Sequence, residues 1–161
     1  MIFLTIGFQF SFDRLIREMD RIAPKLNGMQ VIAQVSKTGH EVENMESHAY
    51  VKPAEFENYF QNASLIISHA GMGTILSALE SERPIIVMPR LKKYGELTTD
   101  HQISTARKLE KLNYVHVAYD ETELESKVLK VLSGDLKPLH KINKHASKQL
   151  LDSISDFLNN S

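Results

Sequence analysis

The sequence predicts an α/β domain with a mostly parallel sheet and helices on both faces. Two observations carry this. Short apolar runs of strand length alternate along the chain with segments whose apolar residues recur at helical spacing. Residues 64–89 contain the sharpest case: an apolar run (65–67), a small-residue turn (69–73), an amphipathic segment from Thr74, and a second apolar run (85–88) between two prolines. The period changes from strand to helix to strand, which defines a βαβ unit. With 161 residues, no repeat and no low-complexity linker, the whole chain, 1–161, reads as one domain.

The elements follow in order. Residues 2–6 form a buried strand, and Gly7 leads into an aromatic loop, Phe8-Gln-Phe-Ser-Phe12. Asp13 is placed to cap a helix whose inward face is Leu15, Ile16, Met19, Ile22, Ala23 and Leu26, ending at Asn27-Gly28. Residues 30–35 are a second strand, 36–47 a polar loop, and 48–51 a short strand. Pro53 suits the first turn of a helix burying Phe56, Tyr59 and Phe60. After the βαβ unit, 90–99 is a basic loop. Asp100 is placed to cap a helix carrying Ile103, Ala106, Leu109 and Leu112. Residues 114–118 are a strand, 121–132 a helix stopped by Ser133-Gly134, and Pro138 opens a last helix.

Composition removes several function classes. Hydrophobic residues make up 42% and charged residues 24%, as in soluble globular proteins. A net charge of −1 gives no electrostatic case for nucleic acid. The absence of cysteine removes disulfides, thiolate metal sites and cysteine nucleophiles, and fits a cytoplasmic setting. The seven histidines show no metal-ligand spacing, so no metal site is expected. No apolar run reaches membrane-spanning length, and no signal peptide is expected before the first strand.

Chemistry concentrates in loops that follow strands. In open parallel sheets such loops converge at the carboxyl edge, where ligands bind. Gly71-Met72-Gly73 gives close backbone access, and the helix starting near Gly73 aims free N–H groups into the turn. Its first turn holds no Asp or Glu, which suits an anion and a phosphate above all. Ser68, His69 and Thr74 flank it with further donors. Gln9 and Ser11 of the first loop, and Asp100, His101 and Gln102, add polar groups able to reach a phosphate or a sugar. The plainer readings are a packing turn, a core-covering loop and an N-cap. Lys137, Lys141, Lys144 and Lys148 form a stripe along the last helix, either a solvated face or one that favours an anionic membrane.

Taken together, Thr5-Ile-Gly7, Gln9, Phe12-Asp-Arg-Leu-Ile16, Ile67-Ser-His-Ala-Gly-Met-Gly-Thr-Ile75, Pro84-Ile-Ile-Val-Met-Pro89 and Asp100-His-Gln102 resemble the carboxyl-terminal domain of glycosyltransferase family 28. The resemblance covers nearly the whole chain. It is strongest to the short free-standing members, the soluble subunit of the two-chain N-acetylglucosamine transferase and PssE-like subunits. It implies a single Rossmann-like domain, the donor-binding half of a GT-B glycosyltransferase. By this resemblance Tyr50 lies against uracil, the Val51 backbone reads the base edge, and residues 71–74 face the diphosphate. Gly7, Gln9 and Ser11 line the same cleft, His101 and Gln102 contact the transferred sugar, and Arg90 belongs to the donor-binding set. Ser77 stands where larger relatives carry a ribose-binding acid, and Glu80 is the nearest substitute.

The resemblance further implies an inverting transfer from a UDP-sugar to a lipid-linked acceptor, without metal or other cofactor. A membrane-anchored acceptor-binding partner would hold the chain at the cytoplasmic face of the membrane. The catalytic base is expected in that partner, with His69 the candidate in this chain. Two alternatives stand beside this: a non-catalytic accessory subunit that enhances a partner transferase, and a stand-alone nucleotide-sugar enzyme such as an epimerase. A homo-oligomer stays open.

Overall fold

The computed structural model describes residues 1–136 and Leu139. Six strands form one sheet in the order β3-β2-β1-β4-β5-β6, and every adjacent pair is parallel. The strands are β1 (Ile2–Thr5), β2 (Val31–Gln34), β3 (Glu46–His48), β4 (Leu65–His69), β5 (Ile85–Met88) and β6 (His116–Val117). The helices are α1 (Asp13–Ile22), α2 (Pro53–Asn62), α3 (Met72–Glu80), α4 (His101–Lys111) and α5 (Glu121–Ser133). The expected last helix and its lysine stripe lie outside the described residues.

The strands β1, β2, β4 and β5 are buried throughout apart from His69 at the end of β4. That explains their near-continuous apolar sequence, because a central parallel strand is covered on both faces. Ile2, Leu4, Ile6, Ile67, Ile86 and Met88 pack against Leu15, Ile16 and Met19 of α1 and Leu124 and Val128 of α5. Phe3, Ile66, Ile85 and Val87 face Phe60 of α2, Ile75 and Leu79 of α3, and Ala106 and Leu109 of α4. The chain runs outward from β1 to β2 through α1, then from β4 to β6 through α3 and α4 in the opposite direction. Right-handed crossovers in opposite directions place their helices on opposite faces. The reversal lies between β1 and β4, which pair directly from Ile2↔Leu65 to Thr5↔Ser68. This is the topological switch point, where a crevice opens beyond the carboxyl ends of the strands.

Local details depart from the sequence reading. β3 spans Glu46–His48 rather than 48–51, so Tyr50 and Val51 follow it. It is an edge strand without an apolar residue, so no hydrophobic pattern marks it. The first helix ends at Ile22, because Pro24 enters a 3-10 turn, Ala23–Lys25. Neither expected aspartate cap forms. Asp13 is the first residue of α1, and its carboxylate accepts from Thr38 Oγ1 (2.8 Å) and the Gly39 amide (3.0 Å). Asp100 holds the N-cap position of α4 but accepts from the Lys92 amide at 2.8 Å. Both carboxylates bind loop residues instead of their own helices, Asp13 across the carboxyl edge and Asp100 within the loop that precedes α4.

Candidate functional site

Because all six strands run parallel, the loops after β1, β3, β4 and β5 rise from one edge. Gly7 leaves β1 with φ 71°, a backbone region that favours glycine. A Cβ added there would stand 3.2 Å from His69 Cε1, so the loops after β1 and β4 meet at the switch point. Gly71 is constrained differently. Its φ of −86° suits any residue, but an added Cβ would come 2.3 Å from His69 Nε2. The imidazole thus lies on Gly71 and beside Gly7, and both glycines make room for it.

His69 is held from below. Ser68 Oγ donates to the Thr5 carbonyl at 2.7 Å and stands 3.1 Å from His69 Nδ1. Since the single hydroxyl proton is used on Thr5, Nδ1 carries the ring proton and Nε2 presents a lone pair toward the glycines. Burial, and secondarily the Arg90 charge, lower the His69 pKa to about 4. The ring is neutral at physiological pH.

Helix α3 starts at this point. Gly71 is its N-cap without a side-chain cap, and its first turn holds no acidic residue. The leading N–H groups of a nine-residue helix therefore face the crevice, with no acidic side chain in their own turn. Gly73 has nothing within 4 Å of an added Cβ, so its surface is open. Thr74 and Ser77 are half-buried on the same helix.

The other residues singled out from sequence fall into two groups. Gln9, Ser11, Tyr50, Asp100 and His101 are exposed at the carboxyl edge, and Phe8 and Tyr50 touch with ring centroids 5.9 Å apart. His101 Nδ1 lies 2.6 Å from Thr99 Oγ1. Val51, Arg90 and Gln102 instead lie beneath the edge, each 3–4% exposed. The Gln102 carbonyl accepts from the Arg90 amide at 3.0 Å. Arg90 Nη2 donates to the carbonyls of Ile6 (2.8 Å) and Phe10 (2.6 Å).

Sequence reasoning missed a second layer. Arg14 donates to both oxygens of Glu96 (3.0 and 2.9 Å), to Glu121 (2.9 Å) and to the Pro89 carbonyl (3.1 Å). Glu96 also accepts from the Leu91 amide at 2.8 Å. This network ties α1 and α5 to the loop after β5. Its only sequence signal is a lone acid in an otherwise basic loop. Among the described residues no group of three or more acidic or histidine side chains is placed to hold a metal ion.

The strand order, the glycine turn and the uncapped helix end define a Rossmann-type α/β domain. The glycosyltransferase family 28 C-terminal domain matches residues 1–157, and the chain belongs to that family. Among curated proteins it is similar to the UDP-N-acetylglucosamine transferase subunit ALG13 of Candida albicans, 36% identical over 53% of this chain and 27% of that one. It is also similar to the ALG13 subunit of Cryptococcus neoformans, 33% identical over 64% of this chain and 52% of that one. The chain spans about half or less of the length of these relatives. Among solved structures, an NMR structure of ALG13 superposes with a TM-score of 0.60 at 22% identity, covering 85% of this chain and 87% of that one. Os79 from O. sativa in complex with UDP gives 0.61 at 17% identity, covering 83% of this chain and 32% of that one. Both structural likenesses establish the fold.

Proposed function

We propose that this chain is the donor-binding subunit of a two-chain inverting glycosyltransferase that moves a sugar from a UDP-sugar to a lipid-linked acceptor. The observation that carries the reading is the switch point itself. Gly7, His69 and Gly71 meet there, beside a helix end with no cap and no acid. The donor diphosphate sits over the amino end of α3, whose N–H groups stabilise the charge that grows as the glycosidic bond breaks. The proposal requires no metal, so chelator leaves UDP binding unchanged.

A neutral imidazole with a pKa near 4 is poorly matched to general-base work at neutral pH. The base that takes the acceptor proton is therefore assigned to the partner. That partner is a membrane-anchored subunit holding the acceptor at the cytoplasmic face. The relatives named as transferase subunits support a multi-chain enzyme, and their name favours N-acetylglucosamine as the sugar.

Calorimetry with UDP and UDP-sugars tests the site, and sugar transfer on co-expression with a membrane-anchored subunit tests the assembly. Gly73→Asp places a carboxylate at the open helix end. Acids there stabilise helices by about 0.3–1 kcal/mol, so the variant melts no lower than wild type while UDP binding is lost. Retained UDP binding refutes the diphosphate seat, and full transfer by this chain alone refutes the two-chain reading. Ser77, in place of an acid, motivates the second reading, an accessory subunit without donor binding. Absence of UDP binding both alone and with the partner would establish it.

A further inference from the structure

Arg90 is a buried cation in an unusual setting. It is 3% exposed, and among the described residues no carboxylate pairs with it. Glu96, the acid that acts on it electrostatically, spends its oxygens on Arg14 and the Leu91 amide. Among the described residues the Arg90 Nε has no hydrogen-bond partner. What the guanidinium does hold is backbone: the carbonyls of Ile6 and Phe10, on either side of the loop that begins at Gly7. The Phe12 ring lies 5.2 Å from its centre. A buried charge without a direct ion-pair partner works against folding, and such local violations concentrate at functional sites.

We infer that Arg90 is a positioning residue of the donor site: from beneath, it clamps the 6–10 loop at its height beside His69 and lends the anion seat a buried positive charge without touching the ligand. This rests on the donor-site reading above. The geometry links three loops through one side chain. Arg90 follows β5, its guanidinium grips the loop after β1, and its backbone amide is held by Gln102 at the start of α4. The same charge reaches His69, after β4, and holds its imidazole toward the neutral form. In the low-dielectric floor of the site, a charge that lies outside contact distance still favours a diphosphate.

The test uses the full chain with Arg90→Gln, which removes the charge, and Arg90→Lys, which keeps it while replacing the planar fork. UDP and uridine affinities are measured by calorimetry, and the His69 titration by NMR. Arg90→Gln is expected to weaken UDP by roughly tenfold, the size of a through-space interaction between unit charges about 10 Å apart at an effective dielectric constant near 20. Uridine, which lacks the diphosphate, changes far less. The His69 midpoint moves up in Arg90→Gln, and Arg90→Lys restores most of both effects. Wild-type UDP affinity in Arg90→Gln overturns the inference. So does equal loss of UDP and uridine in both variants with the His69 midpoint unmoved, the pattern of a purely structural clamp. Should Arg90→Gln fail to fold, Arg90→Lys decides: UDP affinity and a His69 midpoint near wild type support the charge, and loss of both overturns it. If wild type binds no UDP, the donor reading fails by itself, and an unchanged His69 midpoint in Arg90→Gln then separately rejects the charge coupling.

Discussion

Gly71→Ala isolates the contact on which the candidate site turns. The backbone at Gly71, φ −86° and ψ 130°, accepts alanine without strain. The cost comes from the new methyl meeting His69 Nε2 at 2.3 Å, more than an ångström inside ordinary contact. The ring must turn away. It then gives up its bond to Ser68 (3.1 Å), about 1 kcal/mol, and leaves its preferred rotamer, about another 1 kcal/mol. The sum is about 2 kcal/mol, or roughly 4–8 °C in melting temperature for a chain of this size. His69→Ala removes the obstacle, so Gly71→Ala in that background is neutral or slightly stabilising. A double-mutant cycle read by urea denaturation at pH 7 is therefore expected to show a coupling of about 2 kcal/mol. Equal costs of Gly71→Ala in both backgrounds would refute the reasoning, because the glycine would then be required for something other than the imidazole.

Three further outcomes follow from the same geometry. His69 is folded in its neutral form with a pKa near 4, so the unfolded chain takes up a proton at higher pH than the native one. The stability this contributes is complete above about pH 6.5 and is lost as pH falls toward 4, about 3 kcal/mol in all; the difference between wild type and His69→Gln across that window measures it. Glu96→Gln turns an amide donor toward donors on Arg14 and Leu91 and is expected to cost about 3 kcal/mol by denaturant titration; a change under about 0.5 kcal/mol would mean the network contributes nothing. Gly73→Ala meets open space and gains up to about 1 kcal/mol of helix propensity, seen as a higher melting temperature.

The contrast between Gly71 and Arg90 shows what the sequence could and could not reveal. Glycines at a strand-to-helix turn are legible because period and turn chemistry are local, and so was the absence of acids in the first turn of α3. The reason Gly71 must be glycine was not legible, since it is set by a ring two residues earlier whose rotamer depends on Ser68 and Thr5. Arg90 read as part of a basic, ligand-facing loop. Its burial depends on carbonyls 80 and 84 positions upstream. Asp13 and Asp100 failed as caps because each carboxylate accepts from a loop rather than from its own helix: Asp13 from the loop after β2, and Asp100 from the Lys92 amide eight residues earlier in its own loop. The central strands were legible because burial on both faces leaves a continuous apolar run, whereas β3, a three-residue edge strand, leaves none.

These departures share a direction. Asp13 draws in the 36–45 loop, Asp100 holds the 90–96 loop, Glu96 ties the same loop to α1, and Arg90 clamps the loop after β1. Polar side chains that local rules assign to helix ends or solvent are spent on fastening the carboxyl edge. The rings above that edge remain uncovered: Phe8 is 60% exposed, Tyr50 62% and Tyr94 53%. Loops fastened by polar side chains beneath exposed aromatic rings fit the proposed half of a cleft. If the proposed partner exists, the fastened loops keep the proposed anion seat organised before it arrives, and the rings supply apolar area whose burial favours closing a second half over it. On the proposed two-chain reading, fastening below and exposure above share one origin, an active site divided between two chains.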